Sequence, residues 1–96
     1  MTIKSQFKAQ TGVGASEAID ILDTNDIRVS YGVSVIGTVT YTVQHSLDGI
    51  VFFDNADNLN KNVSADGNYV FPVRSVRVNV TAGTGTAELH VRQLVV

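Results

Sequence analysis

Residues 39–49 read VTYTVQHSLDG. Apolar residues alternate with polar ones from Val39 to His45, and the β-branched and aromatic side chains among them are enriched in strands. The Asp48-Gly49 dipeptide that follows favours a tight turn, because glycine accepts the positive φ that other residues resist. The stretch therefore predicts the first strand of a hairpin, with one face directed to a core.

The same alternation recurs before this stretch. It predicts a first strand with Ile3 and Phe7 on the core side, since polar residues fill the positions between them. A short strand is predicted to carry Ile19 and Ile21 inward, and a longer one extends from 27 to 35.

After the stretch, the segment 50–53 is predicted as a short apolar strand. The segment 69–73 resumes an extended pattern, although its proline cannot donate to a strand ladder. Segments 76–81 and 87–92 both alternate and flank a glycine-containing turn at 82–85. They are predicted to pair as an antiparallel hairpin.

About seven short strands separated by Gly, Asn and Asp turns, without a convincing helix, predict an all-β fold. The expected architecture is a single small antiparallel β-sandwich of the jelly-roll or immunoglobulin-like type. With 96 residues, the chain offers no room for a second core. Residues 1–96 are therefore predicted to form one domain.

Composition disfavours several classes of partner. The formal net charge of -2 gives no electrostatic footprint for nucleic acid or an anionic membrane. No window approaches the roughly 20 apolar residues of a membrane span. Cysteine is absent, so disulfides and thiolate metal sites are excluded. The N-terminal residues alternate and lack the continuous apolar stretch of a secretory signal.

Residues able to carry catalysis are few. His45 lies on the apolar side of its strand, which favours a hydrogen-bonded core histidine, and His90 lies on a polar side typical of a solvated sheet face. We therefore predict no enzyme activity, no catalytic residues and no cofactor. The run 54–60 offers oxygen ligands but fails the spacing of a calcium loop. The whole segment 54–68 is predicted as a surface loop, and binding of an ion or glycan there stays open.

Two apolar runs are not explained by alternation. Consecutive apolar residues of a strand point to both faces, and only one face of a sheet in a small sandwich reaches the core. The second face must be covered by the loop 54–68 or by another chain. The candidate interface residues are Ile50, Val51, Phe52 and Phe53 after the turn, with Leu94, Val95 and Val96 at the end of the sequence.

Three arginines are further candidates for this interface. Arg74, Arg77 and Arg92 are predicted to lie along one side of the final hairpin. Arginine is over-represented in interfaces because its planar fork pairs with carboxylates. The alternative is that the three arginines belong to an ordinary solvated face.

Longer motifs resemble those of a known group of proteins. TYTVQHSLDG at 40–49, the pair Phe52-Phe53 and NYVFPVRSVRVNVT at 68–81 are similar to motifs of small β-sandwich virion proteins of tailed bacteriophages. The resemblance covers roughly the C-terminal two thirds of the chain, and its motifs recur in several virion roles. One of the two phenylalanines stands where such proteins carry tryptophan.

This resemblance implies a capsid decoration, or cement, protein that binds and stabilises the major capsid protein shell. It implies a homo-oligomer, trimer or dimer, located in the virion after assembly in the host cytoplasm. The alternative is a small tail, baseplate or fibre-associated protein that contacts other virion proteins. A carbohydrate-binding module is a second alternative, although tryptophan is absent and aromatic residues are scarce.

Overall fold

The computed structural model describes residues 2–22 and 27–95, so the predictions that fall on Val96 lie outside it. Nine strands and a short 3-10 helix at Ala56–Asn58 form within these residues. The strands are β1 Thr2–Thr11, β2 Gly14–Ala15, β3 Ile19–Asp20, β4 Val29–Ile36, β5 Val39–Ser46, β6 Phe52–Asp54, β7 Ala65–Tyr69, β8 Ser75–Gly83 and β9 Thr86–Val95.

The strands build two antiparallel sheets. Sheet A has the order β1-β9-β4-β7, and sheet B has the order β2-β8-β5-β6 with β3 also paired to β8. The predicted all-β sandwich is therefore confirmed. The strand number exceeds the predicted seven partly because β2, a two-residue segment on β8, is too short to produce an alternating pattern. β3 is the short strand that was predicted to carry Ile19 inward, and Ile19 is buried.

Inward-facing residues of the four central strands form most of the core, and Ile19 of β3 and Tyr69 of β7 complete it. β4 and β9 contribute from sheet A, and β5 and β8 contribute from sheet B, in the phases that alternation predicts. The buried hydrophobic residues are Ile19, Val29, Tyr31, Val33, Val39, Tyr41, Val43, Tyr69, Val76, Val78, Val80, Ala87, Leu89 and Val91.

The phase predicted for β1 is wrong. Ile3 and Phe7 point outward and are about half exposed, whereas Gln6 and Lys8 are less exposed. β1 is one of the two edge strands of sheet A, and the segment 14–20 packs beside it: Gln6 Nε2 donates to the Asp20 carbonyl at 3.2 Å. Lys8 pairs with Glu17 at 3.3 Å. An edge strand with charged residues turned inward resists pairing with another edge.

The predicted β8–β9 hairpin is also wrong. β8 pairs with β5 in sheet B, and β9 pairs with β1 and β4 in sheet A, so the turn between them is a corner from one sheet to the other. It packs against the corner between β4 and β5, where the Gly85 N–H donates to the Thr38 carbonyl at 2.8 Å. Alternation and turn residues are the same for a hairpin and a corner, so sequence cannot separate them.

Replacing Gly83 by alanine should destabilise the fold. Gly83 has a φ of +95°, and an added methyl group would overlap the Thr38 carbonyl oxygen of the facing corner. We expect a loss of about 1–3 kcal/mol in the free energy of unfolding, measured by denaturant titration. Gly32→Ala is the control, because its added carbon would meet Asp66 Cβ at an ordinary 3.7 Å. Equal stability of both variants would contradict the close approach of the two corners.

Candidate functional site

One end of the sandwich carries most of the exposed large hydrophobic side chains. β4 begins there at Val29 and β5 ends there at Ser46, while Tyr69 and Gln93 both pair with Val29. Exposed apolar residues gathered in one place mark interaction sites in soluble proteins. We call this region the apolar end, and its exposed hydrophobic residues are Ile3, Leu22, Ile27, Leu47, Ile50, Val51, Phe53, Val70 and Phe71.

A hydrogen-bonded turn keeps two of these residues exposed to solvent. Asp48 Oδ1 accepts hydrogen bonds from the N–H groups of Ile50 at 2.8 Å and Val51 at 2.9 Å, and from Ser46 Oγ at 3.0 Å. These bonds stabilise the carboxylate and lower the pKa of Asp48. Ile50 is 83% exposed although its backbone is fixed. The predicted strand 50–53 is therefore wrong at its start, because only Phe52–Asp54 pairs with β5.

An aromatic cluster lies beside this turn. The His45 ring centroid lies 5.1 Å from that of Tyr69, 5.9 Å from Phe71 and 6.2 Å from Phe53. His45 Nδ1 is hydrogen-bonded to the Tyr69 hydroxyl at 3.1 Å, as predicted for a packed histidine. Burial lowers the pKa of His45. Phe53 and Phe71 cover its ring yet stay about half exposed themselves.

A buried polar network lies on the inner side of the cluster. Asn55 Nδ2 donates to the hydroxyls of Tyr31 at 2.8 Å and Tyr69 at 3.1 Å, and Asn58 Nδ2 also donates to Tyr31. Asn55 Oδ1 caps the 3-10 helix by accepting from the Asp57 N–H at 3.0 Å. Burial raises the pKa of both tyrosines. The two amides therefore join the segment after β6 to sheet A.

The predicted surface loop 54–68 is corrected by this network. It contains the end of β6, the 3-10 helix and most of β7, and its backbone pairs with the free edge of β5 through Tyr41 and Lys61. It does not cover the apolar end, because Ile50, Val51 and Phe53 stay exposed. One sequence signal could have indicated that this segment packs against the sandwich: buried tyrosine hydroxyls need hydrogen-bond partners, and the segment is rich in asparagine.

The three candidate arginines do not share a surface. Arg77 lies on the outer face of sheet B, where its guanidinium carbon is 3.8 Å from the Phe52 ring centroid and its Nε donates to Gln44 at 2.8 Å. Arg92 lies exposed on the outer face of sheet A. Arg74 belongs to the irregular segment before β8. The prediction of one arginine-lined side is wrong because it rested on the hairpin that does not form.

The remaining candidates lie on or near sheet A. Leu94 is half-buried and pairs with Ile3 of β1, while the Val95 backbone pairs with Thr2. His90 is exposed and stacks on Phe7 with ring centroids 5.0 Å apart. Within residues 2–22 and 27–95, no cluster of His, Asp or Glu side chains is arranged to hold a metal ion. Nor does the described part of the chain contain a helix long and apolar enough to cross a membrane.

Comparison with known proteins finds a likeness to a solved structure. No protein-family model matches the chain, and neither does any curated protein sequence. A solved structure of a protein from Bacillus endospore appendages, which form a novel family of disulfide-linked pili, is similar with a TM-score of 0.55. The similarity covers 99% of this chain and 88% of that chain at 17% identity. At this identity it shows the sandwich fold.

Removing the Asn58 amide should weaken the fold. In Asn58→Ala the Tyr31 hydroxyl loses a buried donor, and we expect a loss of about 1–3 kcal/mol in the free energy of unfolding. Asn62→Ala is the matched control, because Asn62 lies exposed in the same segment. Denaturant unfolding of the two variants measures the difference. Equal effects would show that the network adds nothing to stability.

Stability should fall in mild acid because of His45. The folded protein holds this histidine neutral with a pKa below 6.5, whereas the unfolded chain protonates it near 6.5. The unfolded chain therefore binds more protons below that pH, so the free energy of unfolding decreases as the pH drops. Unfolding titrations from pH 8 to 5 measure the effect, which His45→Gln should reduce and His90→Gln should retain. A curve unchanged in His45→Gln would contradict the assignment.

Proposed function

We propose that the protein is a non-enzymatic structural subunit that docks onto a larger protein assembly through its apolar end. In its specific form, the proposal is a capsid decoration protein of a tailed bacteriophage, whose partner is the major capsid protein. The observation that carries it is the Asp48 turn, which fixes Ile50 and Val51 in exposed positions.

The apolar end has the properties of a docking surface. Its side chains are presented by an ordered turn and by rings packed on His45, so little conformational entropy is lost when a partner covers them. Burial of apolar area contributes roughly 25 cal/mol per Å². A decoration protein binds many equivalent positions of a shell, and binding to the assembled state stabilises it by mass action.

The two histidines give this proposal no catalytic role. His45 uses Nδ1 for the Tyr69 hydroxyl and is enclosed by rings, and His90 stacks on Phe7 at the protein surface. A catalytic site would need an activated group within reach of a substrate pocket. The function proposed is therefore binding and stabilisation alone.

A second candidate is a subunit of a filamentous appendage, or a small tail or baseplate protein. The likeness to an endospore appendage protein favours this class, because that protein builds a polymer from a sandwich of similar fold. The present chain has no cysteine, so any polymer it formed would be held without disulfides. Both candidates place the protein in an assembly and differ in its partner.

A charge introduced at the apolar end should weaken docking strongly. Ile50→Asp places a carboxylate where a partner would bury an apolar side chain. Burial of such a side chain contributes about 1.5–3 kcal/mol to binding, so the affinity for the capsid should fall about tenfold or more. Val13→Asp is the control, because Val13 is also well exposed but lies near the opposite end. Cosedimentation with phage capsids stripped of the protein measures binding.

Each outcome of this experiment is decisive. Saturable binding by the wild type and Val13→Asp, but not by folded Ile50→Asp, supports docking through the apolar end. Undiminished binding by Ile50→Asp removes the apolar end from the interface. Absence of binding by the wild type overturns the capsid assignment and favours the appendage or tail candidate.

A further inference from the structure

The outer face of sheet A is unusually regular. Side chains from four strands form rows across it, and the central row contains Phe7, His90, Gly32 and Asp66. One adjacent row contains Ser5, Arg92, Ser30 and Asn68. The row on the other side contains Ala9, Glu88 and Ser34.

Small residues on β4 form a trough along this face. Ser30, Gly32 and Ser34 form its floor, because they point outward between the larger side chains of β9 and β7. Three adjoining concavities of about 480, 290 and 400 Å³ follow β4 from one end to the other. A second protein surface can therefore approach the β4 backbone closely.

An exposed aromatic pair forms the ridge beside the trough. Phe7 is 50% exposed and its ring tilts by 40° against His90, with centroids 5.0 Å apart. His90 is exposed as well. Aromatic residues in such positions are enriched at protein interfaces.

Charge is arranged on β9 with opposite signs about this ridge. Arg92 lies two residues after His90 and Glu88 lies two residues before it, all three on the outer side of the strand. A second copy can be packed against this face by a two-fold axis that lies between the two sheets. The axis passes near His90 and runs perpendicular to the strands. The two β9 strands are then antiparallel, and Arg92 of each copy faces Glu88 of the other.

We propose that this face joins two copies of the chain in an isologous dimer, with Arg92 paired to Glu88 across the axis. The operation sets each strand against the same strand of the other copy, so the His90 rings meet near the axis, the Phe7 rings meet at the β1 edge and the two β4 troughs lie opposite each other. A two-fold interface requires a surface complementary to itself, and opposite charges at equal distances from the axis meet that requirement. Asp66 lies on edge strand β7, where water screens its charge from its symmetry mate.

The face is large enough for such a contact. β1 and β9 have ten residues each, β4 has eight and β7 has five. At a strand spacing of about 4.8 Å and a rise of about 3.4 Å per residue, they outline on the order of 500 Å². Side-chain relief adds to this area, which approaches the roughly 800 Å² that each partner contributes to a standard interface.

This inference goes beyond docking at the apolar end. The two surfaces adjoin at Ile3 and Val70, which line the first concavity, but the charges that carry the dimer, Arg92 and Glu88, lie on the face of sheet A outside the apolar end. Dimerisation is measured on the purified chain without any shell, so its failure is distinguishable from failure of capsid binding.

Charge reversal tests the pairing. Arg92→Glu and Glu88→Arg each place like charges opposite one another, and each should weaken dimerisation by about tenfold or more. The double variant Arg92→Glu/Glu88→Arg restores opposite charges, and so does a mixture of the two single variants. Light scattering and sedimentation velocity measure the association, and circular dichroism confirms that each variant is folded.

Recovery of the dimer in the double variant and in the mixture is the deciding observation. Monomeric single variants with dimers restored in the double variant and in the mixture support the proposal, because a merely unfolded chain would not recover in a mixture. Arg77→Glu, on the outer face of sheet B, is the control and should leave the dimer intact. A monomeric wild type overturns the proposal, as does a wild-type dimer unaffected by the reversals at Arg92 and Glu88.

Discussion

The hydrogen bonds from Asn55 and Asn58 to two tyrosine hydroxyls are the constraint on which this end of the sandwich depends. Tyr31 and Tyr69 belong to sheet A, and the asparagines follow β6 of sheet B, so the amides connect the two layers. A hydroxyl without a partner in this interior would lose its hydration and gain nothing in return. No buried side-chain nitrogen or oxygen among the described residues lacks a partner. The path of the chain from β6 to β7 therefore follows from the placement of two amides.

Alternation predicted the central strands and failed at the edges for a physical reason. β5 and β8 are flanked on both sides and face one core, so each inward position has to be apolar. β1 is an edge strand beside the polar segment 14–20, so its inward positions carry Gln6 and Lys8 instead. A period-2 pattern gives two faces but does not say which one meets the core. That information lies in the neighbouring chain, which a local pattern does not contain.

The candidate site was predictable in part. The run from Ile50 to Phe53 drew attention because it breaks alternation, and most of its side chains are indeed exposed at the apolar end. Phe52 is different, since it turns to the outer face of sheet B and packs under the guanidinium of Arg77. Phe71 was not singled out as an interface residue, because its position beside Phe53 on the His45 ring arises only when the segment after β7 returns beside the turn after β5. The sequence holds no short-range signal for that proximity.

The polar network also explains why the apolar end stays exposed. Phe53 and Phe71 lie over His45, whose ring is bonded to Tyr69, which in turn accepts from Asn55. The rings cannot move deeper without displacing these bonded groups, and breaking such bonds inside the protein carries a free-energy cost that opposes the gain from added burial. The interior therefore supports the rings from below and prevents their collapse into the core. Their outer faces are left for a partner to cover, and the surface is ordered before that partner arrives.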